Sequence, residues 1–561
     1  MGESKVKLVS VLEMKAIERE ADASGLTYAQ MMEIAGLGLA QVVDAEFGHL
    51  RAGGVLGLVG SGNNGGDTLV ALAYLAEQGW RPVRAYLVRP RPKGDPLLER
   101  LIQAGGEVSS FNQDADLERL EEWAHGHAVL LDGVLGTGIR LPLKDEAAAA
   151  LEKVRQTISE RQAAPKVVAV DCPSGIDLDS GEAAPQVIPA DLTVTMAAVK
   201  TGLLRFPAAN LTGKLKVVGI GLEQMNRPLD SWEQVRRDVV EVGLVRQLLP
   251  ERPLEAHKGT FGTVLVVAGS VNYTGAGLLA GKAAYRVGAG LVTWALPAVL
   301  HEAVAGHFPE ATWLLLPHEM GVIAEKASEV VQAGLERVTA LLVGPGLGLE
   351  DETRRFMARL ISAKPNRRGG IGFLGSPIKD AVSGEAQLPP LVVDADGLKL
   401  LARIVNWAGL LPALAVLTPH PGEMAILTGL ETSEIQGDRL AVAERFAHEW
   451  GHVVVLKGAF TVVAAPDGRT GVIPVASPAL ARAGTGDVLA GLIAGLRAQG
   501  LEAYPAALAG AWIHAQAGLL AAERLGSSTS VLAGEVLEAI PAVMRTLALK
   551  RDRSAPVSFV G

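Results

Sequence analysis

Cysteine is all but missing from this 561-residue chain, Cys172 being the single one. One thiol excludes an internal disulfide framework and fits a reducing compartment. Excess positive charge is missing too: the net charge is −9, which leaves no broad electrostatic footprint for nucleic acid. No uncharged run reaches membrane-spanning length, and the start, Met1-Gly2-Glu3-Ser4-Lys5, has no apolar signal core. A cytoplasmic protein with no nucleic-acid or membrane partner is expected. The 65 glycines lack a repeat and cluster in short loops, which favours nucleotide-type loops over a fibre or a disordered tract. What is plentiful is apolar: 49% of residues, against 20% charged, as in globular α/β chains with thick buried sheets. The length exceeds one ordinary core, so two or three domains are expected.

In the first half, Ser10-Val11-Leu12-Glu13 has the pattern of a capping box that opens a helix running to about Ala23. A second helix is expected over Gln30–Phe47, where Ala35-Gly36-Leu37-Gly38 permits close packing. Apolar strands follow at Val55–Val59, Val83–Val88, Ala128–Leu131, Val167–Val170 and Leu192–Met196. Helical patterns separate them at Thr68–Gln78, Pro96–Ala104 and Glu146–Glu160. This rhythm implies a parallel, doubly wound sheet whose ligand site lies at the strand C-termini. Three polar or glycine-rich loops leave those ends: Asn63–Asp67, Asp132–Pro142 and Asp171–Asp177. Their Asn, Ser and Asp oxygens suit a hard cation, or the hydroxyls and phosphates of a nucleotide. The bland alternative is that they only satisfy loop backbone.

Residues 226–238 are rich in charge and proline and read as a linker. Beyond it strand and helix signals alternate again. Strands are expected at Thr263–Ala268, Leu291–Leu296, Thr312–Leu316, Ala340–Val343, Leu391–Val393, Leu414–Leu417 and Val453–Leu456. A hairpin turns at Pro466-Asp467-Gly468 and is followed by Ala483-Gly484-Thr485-Gly486-Asp487 and the helix Val488–Gln499. Glycines at a helix N-terminus let free N–H groups approach an anion. An aspartate there would repel the anion, so Asp487 reads as a base that takes a proton beside a phosphate, with simple helix capping as the alternative. His420, between two prolines, is badly placed for a core histidine and reads as a ligand contact. Glu423 would either aid a metal through water or charge the start of a helix. Asp394 and Asp396 would shape their loop. Lys457 would either meet a nucleotide or end its strand as a solvated charge.

The loops of the first half, Asn63-Asn64-Gly65-Gly66-Asp67, Asp132 with Gly136-Thr137-Gly138, and Asp171-Cys172-Pro173-Ser174-Gly175-Ile176-Asp177, resemble those of the NAD(P)HX epimerase (YjeF N-terminal) domain. The resemblance runs from about Leu8 to Gly221. It implies a Rossmann-like fold in which Asn63, Asn64, Gly65, Gly66 and Asp67 line the substrate. Gly136, Thr137, Gly138, Ile139, Arg140, Leu141 and Pro142 would line it as well. Asp171 would contact substrate as an acid/base, and Asn64, Asp132 and Ser174 would hold K+. Thr68 stands where that family usually has glycine and is expected to narrow the pocket.

The second half is similar to the ribokinase-like superfamily and, within it, to the ADP- or ATP-dependent NAD(P)HX dehydratase (YjeF C-terminal) domain. The resemblance runs from about Val239 to Leu547. It is carried by His257-Lys258-Gly259, Gly344-Pro345-Gly346-Leu347-Gly348, Asp394-Ala395-Asp396, Thr418-Pro419-His420-Pro421-Gly422-Glu423, Lys457-Gly458 and Ala483–Asp487. It implies that Ala276, Gly346, His420 and Asp487 contact hydrated NAD(P)H, with Asp487 catalytic. Lys457, Gly458, Ala459, Phe460, Thr461, Gly484, Thr485 and Gly486 would contact ADP or ATP, which brings Mg2+. Lys399 departs from the asparagine usual after the Asp-Ala-Asp loop, and Lys364–Pro390 looks like an extra basic, glycine-rich loop. The resemblance thus implies residues 1–225 as an epimerase domain, 226–238 as a linker, 239–549 as a dehydratase domain and 550–561 as a loose tail. The expected product is a bifunctional, homo-oligomeric repair enzyme for NADHX and NADPHX. The rival is a vitamin-precursor kinase fused to a non-catalytic nucleotide-binding module.

Overall fold

The computed structural model describes residues 6–161, 163–362 and 388–548. The expected 364–390 loop, up to residue 387, and the 550–561 tail lie outside them. Two compact units result, one from Val6 to Val239 and the other from Val240 onward.

In the N-terminal unit seven strands form a parallel sheet in the order Glu107–Ser110, Val83–Leu87, Val55–Val59, Val129–Gly133, Lys166–Val170, Leu192–Met196 and Lys214–Val218. Val55–Val59 is buried at every position, as a strand covered on both faces must be. The chain winds outward from it in one direction and then, from Val129–Gly133, in the other. The crevice between these two central strands is the switch point where doubly wound sheets bind ligands.

Two helices begin at reciprocal caps, Ser10 with Glu13 and Thr27 with Gln30, so Val11–Ala23 and Tyr28–Phe47 start where their orphan N–H groups are satisfied. Asn63–Asp67 is not a loop. It is the first turn of the helix Asn63–Glu77, against an expected start at Thr68. Two glycines and two asparagines are poor helix formers, but packing overrides propensity: a β-carbon at Gly65 would stand 2.0 Å from the Gly60 carbonyl oxygen. Residues 226–238 are likewise not a free linker. They contain the helix Asp230–Gln234 and most of the strand Arg237–Val239, which pairs antiparallel with Val6–Val9.

The C-terminal unit repeats the winding. Its strands run Thr312–Leu316, Leu291–Pro297, Thr263–Val267, Ala340–Val343, Leu391–Val393, Val416–Leu417 and Val453–Leu456, all parallel. The antiparallel hairpin Val462–Ala464 and Thr470–Val472 adds the edge beyond them. Its second strand ends at Val472, and the helix after it begins at Thr485, three residues before the expected Val488.

That helix, Thr485–Ala498, lies backbone to backbone against Ala276–Arg286. A β-carbon at Gly491 would stand 2.1 Å from the Ala280 carbonyl oxygen, and one at Gly495 would stand 2.8 Å from that of Ala284. Alanine normally stabilises a helix by about 1 kcal/mol over glycine. Here the contact reverses the sign, because the added carbon must force the helices apart. Gly491→Ala should therefore lower stability in equilibrium denaturation, by about 1–3 kcal/mol. An unchanged or raised midpoint would show that this contact does not set the helix spacing.

Candidate functional sites

In the C-terminal unit, Asp394, Thr418 and Lys457 each follow the end of a parallel strand, and Asp487 stands in the first turn of Thr485–Ala498. Asp394 is buried, and its Oδ1 accepts the Thr418 hydroxyl at 2.7 Å and Lys457 Nζ at 2.7 Å. Lys457 also lies 3.5 Å from Glu423, and with its side chain 17% exposed it is not a solvated strand end.

Glu423 and His420 cap the helix Pro421–Thr428 together. The Glu423 carboxylate accepts the His420 N–H at 2.9 Å, and His420 Nδ1 accepts the Gly422 N–H at 3.0 Å. Burial would raise Glu423, but the hydrogen bonds from His420 and the charge of Lys457 outweigh it and bring the pKa down to about 2. Asp487 goes the other way. Burial first, and then the charge of Asp394, raise it to about 8 against the pull of Lys457. Gly484, at φ 88°, gives the backbone the left-handed turn that starts the helix. The Asp394 Oδ2 is buried without a partner among the described residues and lies 3.9 Å from where a Gly486 β-carbon would be. Asp396 accepts the Gly348 N–H at 3.1 Å and pairs with Lys399 at 3.0 Å, so it shapes its loop.

A cavity of about 430 Å3 opens beside this cluster. Of the residues expected at the nucleotide, Lys457, Gly458, Ala459, Thr461, Thr485 and Gly486 line it, and His420 does too. Phe460 and Gly484 do not. The Thr485 hydroxyl is committed to the Leu480 and Arg482 carbonyls at 2.9 and 2.8 Å, so it holds the loop. Apolar walls come from Ile473, Val475, Leu480 and Leu489. Ala276 and Gly346 meet elsewhere, at the switch point: a β-carbon at Gly346 would stand 3.0 Å from that of Ala276. His514 was missed by the sequence reading. It lines the cavity from the helix Ala503–Leu525, and burial lowers its pKa to about 4. A histidine within an alanine-rich helix carries no local motif that would have marked it.

In the N-terminal unit a cavity of about 70 Å3 brings together Asn63, Asn64, Asp67, Thr137 and Asp171 with two residues not anticipated, Glu18 and Lys200. Of the 136–142 stretch only Thr137 lines this cavity, and Gly138 and Arg140 are exposed. Asp171, at φ 64°, turns its carboxylate back toward the next strand. Its Oδ1 accepts the Thr195 hydroxyl at 2.9 Å, the Met196 N–H at 3.0 Å, and the Lys200 ammonium. Lys200 is 1% exposed and donates further to Thr195 Oγ1 and to the Met196 carbonyl. Thr68 does not narrow the pocket. It is fully buried against Gly57 and Gly133, with its hydroxyl on the Asn64 carbonyl at 2.7 Å.

Asn64, Asp132 and Ser174 form one linked set. Ser174 N–H donates to Asp132 Oδ2 at 2.8 Å, the Ser174 hydroxyl accepts the Leu135 N–H at 2.9 Å, and Asn64 Nδ2 donates to the Leu135 carbonyl at 3.2 Å. Among the described residues the second Asp132 oxygen is buried with no partner, and burial pushes that carboxyl above its usual range. A buried carboxylate oxygen without a partner among the described residues is the kind of hard oxygen that suits a cation. Among the described residues no group of three or more His, Cys, Asp or Glu could hold a metal ion.

Comparison with known proteins agrees with this division. Residues 28–202 match the family model for the YjeF-related protein N-terminus, and residues 264–542 match that for NAD(P)H-hydrate dehydratase. The bifunctional NAD(P)H-hydrate repair enzyme Nnr of Moorella thermoacetica is 35% identical over 96% of this chain and 97% of its own. The protein of the same name from Escherichia coli is 33% identical over 91% of this chain and 88% of its own. Among solved structures, the ADP/ATP-dependent NAD(P)H-hydrate dehydratase of Bacillus subtilis, co-crystallised with ATP and Mg2+, is 30% identical. It covers 55% of this chain and 98% of its own, with a TM-score of 0.45.

The Lys457 cluster makes a prediction about stability. Removing the ammonium strands two buried carboxylates, so Lys457→Met should cost about 3–5 kcal/mol at neutral pH. The folded-state pKa of Glu423 is depressed, so its contribution is full above about 4.5 and lost as pH falls toward 2. Urea denaturation should show wild type losing stability over that window and Lys457→Met losing less. Parallel pH curves would remove Lys457 from the cluster's energetics.

Proposed function

The chain belongs to the family of bifunctional NAD(P)H-hydrate repair enzymes, and we propose that its two units divide the repair between them. It is an epimerase joined to an ADP/ATP-dependent dehydratase, matched nearly end to end by its relatives. In this reading the Val6–Val239 unit interconverts R- and S-NAD(P)HX, and the unit from Val240 onward dehydrates the S epimer. The observation that carries it is Asp487 in the first turn of a buried helix, within electrostatic reach of Lys457, which lines the 430 Å3 cavity.

The nucleotide takes that cavity, its adenine end toward the apolar walls and its phosphates toward Gly486 and Lys457. The free N–H groups at the start of Thr485–Ala498 and the Lys457 ammonium stabilise charge on the transferring phosphoryl group. Asp487 takes the proton of the C6 hydroxyl, which attacks the terminal phosphoryl. Loss of phosphate from C6 then restores the nicotinamide ring. His420, half exposed at the cavity edge, and the Ala276–Gly346 contact are assigned to the hydrated dinucleotide. Mg2+ enters on the nucleotide phosphates and neutralises their charge. In the other unit Asn64, Asp132 and Ser174 would hold K+, whose charge there balances the buried carboxylate and favours an anionic ligand. A reducing, cytoplasmic setting fits the buried, unpaired Cys172. Among the described residues no helix is long and apolar enough to cross a membrane. The vitamin-kinase alternative leaves the epimerase half unexplained.

Hydrated NADH supplied as separate epimers with ADP or ATP tests the reading through nicotinamide absorbance. Asp487→Ala should abolish dehydration and spare epimer exchange, and Asp171→Ala should do the reverse. Loss of both activities in either variant would refute the two-site division. A base held near pKa 8 must shed its proton before it acts. The kcat/KM for dehydration should therefore rise with pH up to about 8 and level off above. A flat or falling profile would exclude Asp487 as the base.

A further inference from the structure

Asp67 is a buried carboxyl in the N-terminal cavity that accepts no hydrogen bond among the described residues. It is 6% exposed, and the helices Tyr28–Phe47 and Asn63–Glu77 close over it through two glycines. A β-carbon at Gly36 would stand 2.8 Å from the Asp67 carbonyl oxygen, and one at Gly66 would stand 2.4 Å from Met32 Sδ. Among the described residues no hydrogen bond reaches its carboxyl, which lines the same 70 Å3 cavity as Asp171. Asp171 is the opposite case. Three donors converge on its Oδ1, while its Oδ2 takes none among the described residues. The Lys200 ammonium is committed to Asp171, Thr195 and the Met196 carbonyl, so its three N–H bonds are spoken for and none is left for Asp67.

We propose that Asp67 is the proton donor of the epimerase cavity, working opposite Asp171 as the proton acceptor. The inference rests on the epimerase reading above and assigns a chemical role to a residue so far only placed beside the substrate. The charged and titratable groups around it are Asp171 and Glu18, of like sign, the ammonium of Lys200, and the Tyr28 phenol at the cavity wall. Three carboxyl groups and one ammonium in a closed space favour a neutral carboxyl; Asp67 and Glu18 both lack donors, and of the two Asp67 is buried while Glu18 is only half-buried. Burial, Asp171 and Glu18 all raise Asp67 well above the ordinary carboxylate range, with only Lys200 opposing.

The step balances. Asp171 Oδ2 takes the proton of the C6 hydroxyl, and the C6–O single bond becomes a carbonyl. The C6–N1 bond breaks, its electron pair passes to the ring nitrogen, and that nitrogen takes the proton of Asp67. Rotation about C5–C6 presents the other face of the carbonyl. Reclosure returns one proton from the nitrogen to Asp67 and one from Asp171 to the new hydroxyl, so no oxidant, reductant or water is consumed.

The test uses the full chain and R-NADHX, with epimer exchange followed by chromatography across pH 5–9. Asp67→Asn keeps shape and polarity but cannot donate the carboxylic proton. It should lower the kcat of exchange by about 100-fold or more while KM stays within about threefold. It should also lose the alkaline limb of the wild-type profile. Asp67→Glu restores an acid and should recover at least about tenfold over Asn. The proposal is overturned if Asp67→Asn exchanges within threefold of wild type, if its loss appears in KM alone, or if Asp67→Glu is no better than Asn. A wild-type chain that exchanges no epimers at all would instead bring down the epimerase reading beneath it.

Discussion

The ammonium of Lys457 is the constraint on which the dehydratase site depends. Asp394, Glu423 and Asp487 come from three different elements and crowd one end of a buried parallel sheet. Carboxylates so placed repel one another and lose hydration, and that cost is offset only by a cation and hydrogen bonds among them. Lys457 binds Asp394 at 2.7 Å and reaches Glu423 at 3.5 Å, which ties the ends of two strands to the cap of a helix. The same cation leaves Asp487 near pKa 8, where a base can both gain and lose a proton near neutrality.

The epimerase unit solves a similar problem with different elements. Lys200 is fully buried and its contacts fall on the ends of two neighbouring strands, at Asp171 and at Thr195 and Met196. Asp67 receives no hydrogen bond from it, and burial and like charge there outweigh its attraction. In each unit one lysine holds a carboxylate at a strand end, and a buried carboxyl without such a bond, Asp67 or Asp487, carries a raised pKa. That division is how one cavity comes to contain both an acid and a base.

Glycine works in both units as permission for contact. Gly65 against the Gly60 carbonyl and Gly491 against the Ala280 carbonyl each bring a helix onto backbone where no side chain would fit. In both cases the helix so seated carries a buried carboxyl with a raised pKa, Asp67 or Asp487. Stability and function therefore share these positions, and larger residues there would move Asp67 or Asp487 along with the helix.

The doubly wound character, most buried strands and the order of the ligand loops were legible in the sequence. Alternating apolar runs and glycine-rich turns follow from local rules: strands such as Val55–Val59 are buried on both faces and read as continuous apolar runs. The polar residues Asn64, Asp171, His420 and Asp487 stood out because they sit in glycine- or proline-rich turns between apolar runs. The edge strands Glu107–Ser110 and Lys214–Val218 were not legible, since half-exposed segments carry charge and lose the apolar signal. Nor was the helical first turn at Asn63, where packing against Gly60 outweighs poor propensity. Lys200, Glu18 and His514 became site residues only through folding, which carries them to a cavity from distant positions in the chain. Local sequence determined which elements form and where their loops lie. Which carboxyl is paired and which is left unpaired depends on long-range burial and charge, and tertiary structure alone decided it.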